Sequence, residues 1–92
     1  MVSVTELRFT AKDIPQDVAE LLHESAGLHD KAAWTVGRLT NLMMDDLKAE
    51  DVKYSRMSLY KAIGAHCGRA SETVRQCAHV HRLFPKWLTE LH

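Results

Sequence analysis

The sequence predicts an all-α fold: a small bundle of four to five helices containing a helix-turn-helix. Three observations predict it. Apolar residues recur at three- and four-residue spacing over most of the chain. The few Gly and Pro fall mainly where such stretches start or stop, and only residues 2–9 alternate in a strand-like way. The connections between periodic stretches are short, as in a packed bundle.

Residues 2–9, "VSVTELRF", predict a short extended arm. "KDIPQDVAELLHESAG" (12–27) predicts the first helix. Asp13 stands near its start, Pro15 sits in a first turn that tolerates it, and Asp17 and Glu20 favour the positive end. Val18, Leu21 and Leu22 supply its buried stripe, and Gly27 ends it. The longest helix is "DKAAWTVGRLTNLMMDDLKAED" (30–51), with Asp30 as its cap. Ala33, Val36, Leu39, Met43 and Leu47 follow one face, widened by Trp34 and Leu42. Gly37 costs this helix up to about 1 kcal/mol relative to Ala; it either marks the close approach of another helix or has no packing role.

A polar link, "AEDVKYS" (49–55), follows. Ser55 or Ser58 caps a third helix, "RMSLYKAIGAHC" (56–67), which Gly68 stops. Ser71 caps a fourth, about 71–84, which Pro85 ends. "PKWLTELH" predicts a last turn, with Trp87 and Leu88 packing back.

Ninety-two residues make one domain. There is no apolar run long enough for a membrane span and no basic segment leading into an apolar block at the start. The expectation is an intracellular protein, cytoplasmic and at the nucleoid, with Cys67 and Cys77 as buried thiols. Net charge is zero, but it is unevenly spread. Residues 1–52 hold five Lys/Arg against ten Asp/Glu, a net of −5; residues 53–92 hold seven against two, a net of +5. Such asymmetry points to a polyanion-binding half joined to a supporting half.

The basic half carries the informative stretch, "KAIGAHCGRASETVRQCAHV" (61–80). Gly64 is small and stands four residues before Gly68. Gly68 tolerates a positive φ in the turn, Val74 comes six residues later, and Cys77 three after that. Ile63 and Cys67 fill the inner face of the first helix of the pair. Over residues 59–80 this Gly-x3-Gly-x5-Val arrangement resembles the helix-turn-helix of phage and bacterial repressors. The chain departs from that family at Gly64, where Ala is usual, and at Arg69, where an apolar residue is frequent.

The resemblance implies a sequence-specific regulator of transcription, a small repressor of phage, plasmid or bacterial type, bound to double-stranded DNA. Its fourth helix would enter the major groove. Ser71, Glu72, Arg75, Gln76 and His79 would then face the bases, Arg suiting guanine and Gln suiting adenine. Arg56, Tyr60, Lys61, Arg69 and Thr73 would meet phosphates, although Thr73 also suits a thymine methyl. Helix 32–48, with Trp34, Leu42, Met43 and Met44, is either the central core helix or the surface of a homodimer. The alternative from another class is an all-α protein-interaction module with an architectural helix-turn-helix.

Other chemistry is weakly represented. His66, Cys67, Cys77, His79 and His81 match no zinc-knuckle spacing, so the sequence predicts no metal or other cofactor. His79 and His81 are expected on the helix surface. There is no phosphate loop, nucleophile elbow or paired carboxylate cleft. Asp45 and Asp46 are helix neighbours that point apart, so an enzyme is not expected.

Overall fold

The computed structural model describes residues 6–25 and 30–86. The described residues form four α-helices, α1 (Gln16–Glu24), α2 (Asp30–Ala49), α3 (Arg56–Cys67) and α4 (Ser71–Leu83), after a single 3-10 turn at Ala11–Asp13. The fold is a small all-α bundle. α4 lies chiefly along α2 and also against α3, while α1 covers α3 and part of α2.

Of the extended arm, Leu7 makes one parallel bridge to Tyr54. Its N–H donates to Lys53 at 3.0 Å and its carbonyl accepts from Ser55 at 2.8 Å. The backbone N–H of Phe9 then donates to Ser58 Oγ at 2.9 Å, and the Phe9 and Tyr54 rings meet edge to face.

Asp13 does not start the first long helix. Its carboxylate accepts from the backbone N–H of Thr10 at 2.7 Å and so caps the 3-10 turn, leaving Pro15 as the N-cap of α1. α1 ends at Ser25, ahead of Gly27. α2 begins at Asp30 itself, so Asp30 is its first helical residue and not a cap ahead of it; the Gly27 stop and the packing of Trp87 and Leu88 lie outside the described residues. Ser55 caps α3 by accepting from the N–H of Ser58 at 3.2 Å. Ser71 does not cap α4: the N-cap is Ala70, with no side-chain bond, and Ser71 is the first helical residue.

Leu22, Val36, Leu39, Leu59, Ile63, Cys67, Val74 and Cys77 form the heart of the core. Two predicted core residues are exposed instead, Leu21 at 44% and Leu42 at 46%. Each lies beyond the arc of its helix that faces a neighbour, so the buried stripes are narrower than the apolar pattern. Trp34 and Met44 are buried at 8%, and Met43 packs against the core. α2 is therefore the central core helix, and most of its apolar side chains are engaged within the chain.

Gly37 is where α4 crosses α2. A Cβ built on Gly37 would overlap the carbonyl oxygen of Cys77, with the carbonyl carbon only 2.6 Å away. Two further links seal this crossing. The Trp34 indole N–H donates to the Phe84 carbonyl at 2.9 Å, and the Asn41 amide donates to the Ala78 carbonyl at 2.9 Å.

Candidate nucleic-acid interface

The connection between α3 and α4 is built from Gly64 and Gly68. Gly68 has φ 70° and ψ 27°, the left-handed conformation that glycine adopts without a Cβ penalty. The Gly64 carbonyl accepts from both Gly68 and Arg69, the latter at 3.0 Å, which satisfies the end of α3. In exchange the chain doubles back tightly. A Cβ on Gly64 would overlap the Arg69 carbonyl oxygen, and the Val74 side chain would lie 3.5 Å from it. This explains why the position holds Gly rather than Ala: the returning backbone fills the space of a methyl group.

With Val74, Cys77 and Ala78 buried, α4 turns the opposite side outward. Glu72, Thr73, Arg75, Gln76 and His79 are all exposed, and Ser71 is half-buried at the start. Arg75 is held by Glu72 one turn earlier: Nε donates to Oε2 at 3.0 Å and Nη2 donates to Oε1. That hydrogen-bonded pair lowers the Glu72 carboxyl and raises the Arg75 guanidinium from their ordinary values. Both groups sit in solvent, so the pair adds little stability. It sets the guanidinium beside the Glu72 carboxylate in the first turn of α4.

The flanking residues divide. Arg56 and Lys61 on α3 are exposed. Tyr60 is not: it is 7% exposed, so its ring is core. Arg69 is also drawn inward, its Nη1 donating to the Ser25 carbonyl at 2.7 Å. It thereby ties the turn to the end of α1, because an unpaired carbonyl at a helix C-terminus attracts a cation. Tyr60 and Arg69 thus serve the fold of this corner. In sequence both look like flanking surface residues, and nothing in their spacing marks the difference.

Thr73 and Gln76 border a second feature. An apolar cleft of about 450 Å³ runs between α2 and α4, lined by Ala33, Trp34, Thr73, Gln76, Cys77, Val80 and Phe84. Val80 and Phe84 of its lining are 46% and 57% exposed, and Leu83, the residue before Phe84, is 59% exposed. Cys77 forms part of its floor, and burial raises the thiol above its usual value, so little thiolate is available there. The cysteines Cys67 and Cys77 are both free and buried.

His81 lies inward rather than on the surface. Its ring meets Trp34 at 5.0 Å between centroids, and its Nδ1 lies 2.8 Å from the Asn41 amide nitrogen. An amide N–H₂ only donates, so Nδ1 must be an unprotonated acceptor. Desolvation, then Arg38 and Arg82, lower the His81 pKa from its ordinary value. The folded protein therefore binds this proton less well than the unfolded chain. The stability this group contributes is present above the ordinary value of about 6.5 and is lost as pH falls below it. His81→Gln is expected to flatten the dependence of the thermal midpoint on pH between about 7 and 5. An unchanged slope would assign the acid sensitivity to other groups.

Among the described residues, no group of three or more His, Cys, Asp or Glu could hold a metal ion, and no helix is long and apolar enough to cross a membrane. No protein-family model, curated protein or solved structure matches the chain.

Proposed function

We propose that the chain is a sequence-specific double-stranded DNA-binding protein that regulates transcription, with α3 and α4 as its helix-turn-helix. The observation that carries this reading is the α3–α4 corner. A left-handed Gly68 and a Gly64 closed by the Arg69 carbonyl turn α4 so that one exposed ridge presents Glu72, Arg75, Gln76 and His79. A helix presented in this way enters the major groove with its N-terminal half. Arg75, already oriented by Glu72, is suited to guanine, and Gln76 to adenine. Arg56 and Lys61 supply phosphate contacts on one side. The mechanism is occupancy of an operator, as in a small repressor of phage, plasmid or bacterial type. A two-fold operator would need a homodimer. On helix 32–48 such a contact has exposed Leu42 and part-buried Met43 to use.

Fluorescence anisotropy with a random-sequence duplex from about 50 to 200 mM salt tests the reading. Binding is expected at low salt and should weaken steeply, by about 0.9 in log affinity per log salt for each phosphate contacted. Absence of binding at the lowest salt would remove the DNA reading.

The apolar cleft favours one second reading, a protein-interaction module. Exposed apolar side chains at Val80 and Phe84, in the lining of a cleft, are the kind of surface that a partner helix covers. Under that reading Phe84→Ser abolishes partner binding, and Arg75→Ala leaves it unchanged.

A further inference from the structure

His23 in the last turn of α1 and His66 near the end of α3 meet across the bundle. Their facing nitrogens, Nε2 of His23 and Nδ1 of His66, are 3.1 Å apart, and the rings stand at 81° to one another. The other nitrogen of His66, Nε2, lies 2.7 Å from the Ala11 carbonyl. A carbonyl only accepts, so Nε2 of His66 carries the proton and Nδ1 presents a lone pair. His23 supplies the intervening hydrogen from Nε2, and its opposite nitrogen remains able to take that proton instead.

Metal-binding histidines share this arrangement. Such residues characteristically donate the non-ligating N–H to a backbone carbonyl or carboxylate, which fixes the tautomer and aims the free nitrogen. Two imidazole nitrogens bound to one zinc-like ion at about 2.0–2.1 Å stand roughly 2.9–3.4 Å apart for angles near 90–110°. The 3.1 Å separation already falls in that range. Entry is open, because His23 is exposed and His66 half-exposed. Among the described residues no third His, Cys, Asp or Glu joins them. Two imidazoles alone leave coordination positions open to water, and an ion held by them alone would exchange.

We propose that His23 and His66 form a two-histidine site for a borderline divalent transition metal of the zinc, nickel or copper class, which clamps α1 to α3. Imidazole suits these ions, whereas calcium and magnesium require oxygen donors. Binding requires His23 to exchange its tautomer through solvent, its Nε2 proton lost and one gained at Nδ1, so the ring stays neutral and one N–H···N bond is replaced by two metal–nitrogen bonds. The clamp acts near the DNA-facing corner without belonging to it: His23 is two residues from Ser25, whose carbonyl holds Arg69 in the α3–α4 turn.

The test is thermal unfolding of the full chain with and without ZnCl₂ or NiCl₂, in wild type and in His23→Gln. The expected result is a metal-dependent rise in midpoint for wild type and an apparent affinity about tenfold or more weaker in His23→Gln. Comparing increments removes any effect of the substitution on the fold itself. His79→Gln, a control histidine exposed on α4, should keep the full rise. Substoichiometric Cu²⁺ should broaden the ring resonances of His23 and His66 ahead of the other histidines. An equal rise in His23→Gln, no rise with either metal, or broadening centred on another histidine would each overturn the site.

Discussion

Gly37→Ala is expected to destabilise the protein by about 2 kcal/mol, although Ala is the better helix former. Two opposing effects decide the sign. In an open helix the exchange would gain up to about 1 kcal/mol. At Gly37 the new methyl would overlap the Cys77 carbonyl, with the His81 Cβ at 3.0 Å on the other side. Neither obstacle is the loose end of a side chain. Relief requires α4 to move off α2, which loosens the Trp34–Phe84 and Asn41–Ala78 bonds that flank the crossing. Overpacking of this kind costs roughly 1–3 kcal/mol and sometimes more, so it outweighs the propensity gain. For a chain of this size each kcal/mol is worth about 4–8 °C in midpoint, so a drop of about 10 °C is expected in thermal unfolding. An equal or higher midpoint would mean that α2 and α4 cross less closely than described.

Arg75→Ala and Lys61→Ala should separate reading from positioning. If α4 lies in the major groove, Arg75→Ala lowers affinity for a selected operator by about 1–3 kcal/mol and relaxes preference at one base pair. Lys61→Ala weakens all sequences alike and reduces the salt slope by about 1. Glu72→Gln adds an informative comparison. It leaves the Arg75 charge in place, weakens its pair and removes a negative charge from the ridge, so discrimination should fall while non-specific affinity rises. Competition assays on an operator and its single-base variants measure both quantities. Equal and small effects from Arg75→Ala and Lys61→Ala would leave the groove docking without support.

Much of this architecture is legible in the sequence, because short-range signals control it. Gly68 ends α3, Ser55 starts it and Pro85 follows α4, each through an effect within a few residues. The glycine at 37 is visible in the sequence, but only the approach of Cys77, 40 residues on, decides between its two readings. The misses come from distance along the chain. Leu21 and Leu42 fit the apolar spacing, but which arc of a helix is covered depends on where its partners lie. Arg69 looks like a plain surface cation in the sequence, but its Nη1 donates a hydrogen bond to the carbonyl of Ser25, 44 residues away. His23 and His66 are 43 residues apart, and no local pattern joins them. Ser71 fits the cap preference, yet the turn places Ala70 one step earlier in that role.

The bridge between Leu7 and Tyr54 has a consequence for the order in which the molecule assembles. It joins a segment before α1 to the link after α2, so it closes a loop of more than forty residues with only two backbone hydrogen bonds. Long loops are entropically costly to close, and these bonds return little until the helices between them are packed. The bridge therefore belongs to the late steps of folding. Its amides should also be among the earlier ones to exchange with solvent, in openings that leave the α2–α4 crossing intact.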